Sequence, residues 1–518
     1  MNAINVSPTR VTAARWKPVI DSLQKVAWAV FLLSLPVTSF PFLPPAIGGG
    51  ALVRPLALYP LIVLMFLVTL PRLVTRPLPR AFLSLLPFVL LAIASSLLSL
   101  LRGIEPALDI PVTDRILRAL LTLGIGCAIY LTVALVPRTL ADLRSSLRWI
   151  YAGFGLALFW GSLQAIYVIR FTQEWFHFLN RTQRYISIRR LLNTRVSGMT
   201  YEPNWFAEQI SFLLLPWLLA SVLTGYTVFN WRWRRLTVET FLLVWSVAVL
   251  PFTFSRAGVL NLVVLAVLSI LFFRFQSGQK AVAGSEHPMP QKKRGRLLRT
   301  LVEVGLVVAI LGGLIFVAGT KNEFFARIWG YWQKKNTSLT GYFEYLGFGA
   351  RFVYSEAAFR TYEAYPFLGV GLGNYAFYFD EMLPDRPLAY TPEILRLVTP
   401  EEGRNRLITA KNLYFRLLAE TGLVGTAAFV AFLFAILGCA LFLWLSPFLK
   451  QKFWGTAGLL GMIAFAMSAL SFDSFAIPNM WVVFGLITAA AWVFAQSPTP
   501  EAAGLQNELV VEENTDRF

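Results

Sequence analysis

Apolar residues in this chain fall in continuous runs of about twenty, separated by short polar segments. A helix of about 20 residues crosses a hydrocarbon core of roughly 30 Å. Only helices and closed barrels satisfy every backbone group in lipid. Barrel strands alternate apolar and polar positions, and these runs do not, which excludes a barrel. The runs lie near 24–43, 53–71, 81–101, 116–136, 149–169, 203–223, 237–254, 257–275, 300–319, 420–446, 455–472 and 479–496. They predict an all-α polytopic membrane bundle of about twelve spans. Pro36, Pro87 and Pro216 fall inside runs and predict kinks.

Polar positions set the orientation. Arg72, Arg76 and Arg80 lie between one pair of runs, Arg138, Arg144 and Arg148 between another, and Arg232, Arg234 and Arg235 between a third. Lys280 and the segment from Lys292 to Arg296 follow, then Lys450 and Lys452. Basic loops stay in the cytoplasm, so both termini are expected there. The first run follows a basic segment and lacks a small-residue cleavage site, so it reads as a retained helix and not a signal peptide. Two outer segments stand apart. One holds Arg170, Arg181, Arg184, Arg189, Arg190 and Arg195; the other, 320–412, is too long for a bare connector and predicts a folded extracytoplasmic subdomain. The expected organisation is spans one to nine in 1–319, that loop, spans ten to twelve in 413–496, and a disordered tail over 497–518. Gly278 to Gln291 reads as a loose cytoplasmic loop.

Composition narrows the chemistry. Of the 518 residues, 56% are hydrophobic and only 14% charged, against roughly 25% charged in a soluble domain. The net charge of +18 sits in loops, which argues against a nucleic-acid partner. Cys127 and Cys439 fall inside predicted helices, away from any disulfide, and two histidines are too few for a histidine-rich metal centre. No cofactor is expected.

Candidate residues gather on the outer side. Arginine presents a planar fork that grips phosphate oxygens bidentately, so the outer cluster points to a phosphate-bearing ligand. Arg256, in the very short turn "TFSRAGVL", is a charge close to hydrocarbon and a functional residue by default. In "EPNWFAEQ", Pro203 predicts a helix start, Glu202 stands at its mouth, and Asn204 shares a face with Glu208. Phe352, Phe359 and Tyr362 predict a short amphipathic helix lying on the bundle. Gly369, Gly371 and Gly373 after Pro366 predict a tight turn, without a nucleotide-binding context.

The order of these pieces carries a resemblance. An arginine-rich outer loop, "EPNWFAEQ", "FSRAG", a large loop with "PFLGVGLGNY", and "KNLYFRLLAETGLVG" together resemble the O-antigen ligase and polysaccharide polymerase superfamily of bacterial envelope enzymes. The likeness covers roughly Arg195 to Gly425. It implies a GT-C-like, metal-independent, inverting glycosyltransferase of the bacterial inner membrane. Its donor would be a glycan linked through pyrophosphate to undecaprenol, and its acceptor a glycan or other hydroxyl. A flippase and a chain-length regulator would be its partners, with membrane lipids around it. Carried over, Arg195 and Arg256 match pyrophosphate ligands and Arg351 the arginine opening the long-loop helix. Gly369 and Gly371 match its glycine turn, and Asn412 and Glu420 the start of the next span. Gly369, Gly371, Asn412 and Asn204 join the arginines in the pyrophosphate- and glycan-binding set, and Glu202 and Lys411 are the catalytic candidates.

There is one departure: Lys411 stands where ligases of this group commonly carry histidine. That tilts the expectation toward a polymerase or a ligase with another acceptor. Lysine there reads better as a further cation, with Glu202 or another carboxylate taking the proton; His177 is a distant third. The competing class is a transporter of an anion or of the lipid-linked glycan. Carriers carry internal repeats and midplane charges; no repeat is apparent here, and the notable charges cluster at one surface.

Overall fold

The computed structural model describes residues 8–42, 44, 52–233, 236–283, 312–313, 329–333, 337–346, 348–384, 393–395 and 407–496. The predicted span 300–319, residues 312 and 313 excepted, lies outside them, as do the segment from Lys292 to Arg296 and the tail 497–518. Each of the other apolar runs holds a helix, although in the run 24–43 the helix ends at Leu33. In chain order these are α1 (Pro8–Leu33), α2 (Leu58–Thr75), α3 (Arg80–Arg102), α4 (Val112–Leu135) and α5 (Leu140–Ile169). After the loop helix α6 (Gln173–Gln183) come α7 (Pro203–Thr224), α8 (Val238–Thr253) and α9 (Arg256–Ala283). The long loop contributes α10 (Leu339–Tyr345), α11 (Gly349–Ala364) and α12 (Tyr375–Tyr378). The bundle closes with α13 (Leu413–Trp444), α14 (Leu449–Ser468) and α15 (Pro478–Gln496).

The molecule is an all-α helical bundle, and among the described residues seven helices are long and apolar enough to cross a membrane. The only described sheet is a two-residue hairpin, β1 (Arg232–Trp233) against β2 (Leu236–Thr237). The core centres on α15, which is buried along nearly its whole length and packs on α4, α13 and α14. Gly126 of α4 permits this approach, since a Cβ there would meet the Trp481 indole at 2.2 Å.

Several helices are broken, and the breaks have local causes. Pro87 and Pro216 each open the second part of an interrupted helix, and a π-helical turn over Gln209–Leu214 precedes Pro216. Pro36 lies beyond the end of α1 and ends it instead of kinking it. Gly278 does not open a loop, because α9 continues to Ala283. In α11 the buried face is not the aromatic one. Ala350, Val353, Tyr354, Ala357 and Ala358 are buried, while Phe352 and Phe359 are exposed. Small side chains let α11 lie close on α13; a phenylalanine on that face would hold the helices apart.

Candidate functional site

The site gathers at the end of the bundle where α3, α5, α8 and α14 finish and α4, α7, α9, α13 and α15 begin. Its first node is Arg195. The Nε of Arg195 donates to the Thr253 carbonyl at 2.9 Å, and its Nη2 donates to Asn204 Oδ1 at 2.9 Å and to the Phe254 carbonyl at 3.4 Å. One guanidinium thus ties the loop before α7 to the turn before α9. Phe254 adopts a left-handed backbone, φ 48°, which bends the chain tightly enough for α9 to start at Arg256. Arg195 is pulled down to about 10, first by burial and then by the positive charges of Arg256 and Arg189, with Glu202 opposing. It stays charged at neutral pH, in an electrostatic neighbourhood that it shares with Arg256.

Glu202 is the N-cap residue of α7, but its side chain does not cap. It pairs with Arg189 at 2.7 Å, and the Arg189 guanidinium also stacks 5.0 Å over Tyr201. Pro203 opens the helix, where its missing N–H costs nothing. Asn204 is exposed on the first turn. One turn on, Glu208 accepts a hydrogen bond from Asn479 Nδ2 at 3.3 Å, just before the π-helical break.

The long loop joins the same layer. Arg256 stacks 5.6 Å over Phe348, the N-cap residue of α11. Arg351, in the first turn of that helix, donates from Nη1 to the Ser471 carbonyl at 3.3 Å. Ser471 leads to Asp473, whose Oδ2 accepts from the Lys411 backbone amide at 2.8 Å. Lys411 also has a left-handed backbone, φ 54°, and an exposed side chain. Asn412 is the N-cap of α13, its Oδ1 accepting from the amides of Tyr414 and Phe415.

Beneath Lys411 lies a buried ionic cluster. Arg416 Nε meets Glu420 Oε2 at 2.8 Å, and Arg416 Nη1 donates to the Asp473 carbonyl. Arg416, Glu420 and Asp473 are all buried. The α13 helix breaks just after Glu420 at Gly422, φ 63°. The glycine turn fills that break. The Pro366 and Phe367 carbonyls accept from the Leu423 and Val424 amides, while the Val370 and Gly371 amides donate to Ala419 and Glu420. Arg102 and Arg115 hold the carbonyls of Gly369 and Gly373 at 2.7 and 2.9 Å. A Cβ on Gly369 would lie 2.5 Å from the Ala419 carbonyl oxygen.

The sequence-derived candidates therefore form a continuous chain of contacts: Arg195 with Asn204, Arg256 through the Thr253–Phe254 turn, Arg351 through Phe348, and Lys411 through Asp473. Glu202, paired with Arg189, joins it by acting electrostatically on Arg195. Gly369, Gly371 and Asn412 lie on the supporting side, with their backbone or side-chain groups engaged in holding α13. Arg189 belongs to the outer arginine cluster and Glu208 to the Asn204 face already noted in the sequence, whereas sequence reasoning missed Arg115, Arg416 and Asp473. Arg416 and Glu420 stand four apart in one helix, a visible ion-pair spacing, whereas nothing local connects Asp473 to Lys411.

Comparison with known proteins fits this layout. Residues 241–430, from α8 to just past the middle of α13, match the family model described as O-Antigen ligase. The match likens this segment, 190 of the 518 residues, to O-antigen ligase. It contains Arg256, Arg351, Gly369, Gly371, Lys411 and Asn412; Arg195, Glu202 and Asn204 lie before it. With the apolar helices it points to a multi-pass membrane protein. No curated protein matches the chain.

Proposed function

We propose that this protein polymerises or ligates undecaprenyl-pyrophosphate-linked glycans at the outer face of the bacterial inner membrane, building O-antigen or exopolysaccharide. The observation that carries the reading is the pairing of Arg195 and Arg256 in one layer, from loops on different helices, with Arg351 and Lys411 linked to them. Fixed guanidiniums suit a leaving group on which negative charge grows, the usual largest contribution in a preorganised site. Both termini would then be cytoplasmic, and 320–412 an extracytoplasmic subdomain covering the sugar.

In this reading an acceptor hydroxyl oxygen attacks the anomeric carbon from the face opposite the pyrophosphate. The bond from that carbon to the pyrophosphate oxygen breaks, and undecaprenyl pyrophosphate leaves with the electron pair, inverting the centre. Glu202 takes the hydroxyl proton. Lys411 adds positive charge beside Arg195, Arg256 and Arg351, and Asn204 orients the glycan. Gly369, Gly371 and Asn412 act by holding α13 in place. The arginines supply the charge that a metal supplies elsewhere. A flippase would deliver the donor, and a chain-length regulator would set product length.

The test is purified protein supplied with a lipid-linked oligosaccharide. Longer or transferred glycan, with release of undecaprenyl pyrophosphate, is expected, and Arg256→Ala should abolish it. Movement of solute or lipid-linked glycan across vesicles with no new glycosidic bond would favour the transporter instead.

A further inference from the structure

At the opposite end of the bundle, the last turn of α2 and the end of α4 meet α15 around a cavity of about 290 Å³, lined by Arg72, Arg76, Arg138, Trp492 and Gln496. The α4 helix separates this cavity from the site: Arg115 at its start holds Gly373, and its 24 residues extend about 36 Å at 1.5 Å per residue. This second cluster is therefore independent of the arginines assigned above.

Three guanidiniums share the cavity wall, and among the described residues no carboxylate lines it. Arg72 is buried and fixed, its Nη1 donating to the carbonyls of Leu135 and Val136 at the negative end of the α4 dipole. Arg76 and Arg138 are exposed. Asp142 is near, but its Oδ2 accepts from the backbone amides of Arg138 and Thr139 in the capping box of α5. Asp21 of α1 also acts on Arg138 but does not line the cavity, so among the described residues the wall keeps an excess of positive charge for a ligand. The volume is at the small end of the roughly 300–1,000 Å³ of ligand sites, which suits a headgroup more than a whole lipid. Trp492 at the rim has the amphipathic ring favoured at a membrane interface.

We propose that this cavity is a phosphate-binding site, with Arg72 as its fixed floor and Arg76 and Arg138 closing on the anion. The phosphate belongs either to an anionic phospholipid headgroup or to a free ion. Basic pockets between membrane helices take such headgroups.

The test is the melting temperature of the full-length protein in uncharged detergent. One arm adds phosphatidylglycerol, with phosphatidylcholine as its reference; the other adds inorganic phosphate, with chloride at matched ionic strength. A rise with phosphatidylglycerol alone identifies the lipid headgroup, and a rise with phosphate identifies the free ion. Either rise should vanish in Arg76→Gln/Arg138→Gln and persist in Arg232→Gln, a basic residue of the exposed hairpin. No rise in either arm, or a rise that survives the double substitution, would overturn the proposal.

Discussion

The Arg416 guanidinium and the Glu420 carboxylate stand 2.8 Å apart on successive turns of α13, each at most 9% exposed. Both charges are largely withheld from water, and each is the other's nearest opposite charge, with Asp473 a second carboxylate acting on Arg416. Removing one partner of a buried pair typically costs about 3–5 kcal/mol, because the survivor is left uncompensated. Glu420→Ala should therefore lower the melting temperature in detergent sharply. Arg416→Met/Glu420→Leu, which removes both charges, should recover much of that loss. A double variant no more stable than Glu420→Ala would refute the pairing argument.

The glycine turn makes a second stability prediction. Gly369 and Gly422 have positive φ, and a Cβ on Gly422 would lie 2.3 Å from the Phe367 carbonyl oxygen. A left-handed backbone alone costs a residue with a side chain about 1–2 kcal/mol, before that clash. Gly369→Ala and Gly422→Ala should each destabilise the protein well beyond that figure. Gly438, toward the C-terminal end of α13 with open space around its Cα, is the control. Alanine there should be neutral or gain up to about 1 kcal/mol from helix propensity.

Arg195 is the most specific test of phosphate binding. Its Nε and Nη2 bonds to Thr253, Phe254 and Asn204 use the planar fork, which lysine cannot reproduce. Arg195→Lys and Arg195→Ala should both lower turnover, the alanine by about 10²–10³-fold on the scale of a lost transition-state donor. The sign of the pH effect follows from its value of about 10. The charge is present throughout the neutral range and is lost only as pH rises past that value. Donor KM should stay flat from pH 7 to 9 in the native enzyme. A rise within that window would have to come from another group.

Much of the fold was legible because a membrane imposes one simple rule on sequence: continuous apolar runs become helices. The runs matched by α2 to α5 needed no tertiary information. What escaped depended on partners distant in the chain. The Gly369–Gly373 segment reads locally as a tight turn, and a turn it is, but its partner is the break at Gly422, some fifty residues on. Aromatic spacing in α11 suggested Phe352 and Phe359 as the packing face. The requirement that won was close helix approach, which alanines meet. The arginines of the site were visible as charges that the basic-loop pattern sets apart at one side of the bundle, whereas the Asp473 contact that fixes Lys411 joins residues with no shared pattern.

Lys411 allows side-chain chemistry to be separated from backbone strain. It holds φ 54°, a region unfavourable for a residue with a side chain, and its amide is anchored on Asp473 Oδ2 at 2.8 Å. Glycine adopts that conformation freely, so Lys411→Gly should keep or raise the melting temperature while removing the ammonium. If the lysine only serves geometry, Lys411→Gly would match native turnover. If it supplies charge to the leaving pyrophosphate, turnover should fall at least tenfold, about 1.4 kcal/mol of transition-state stabilisation, and donor KM should rise. Lys411→Arg, which keeps the charge, should recover part of the loss. Glu202→Gln completes the separation: it removes the carboxylate proposed to take the proton, so it should cut turnover with little change in donor KM. Equal turnover in Glu202→Gln would move the proton to another carboxylate, and Glu208, one turn beyond Asn204 on α7, is the next to substitute.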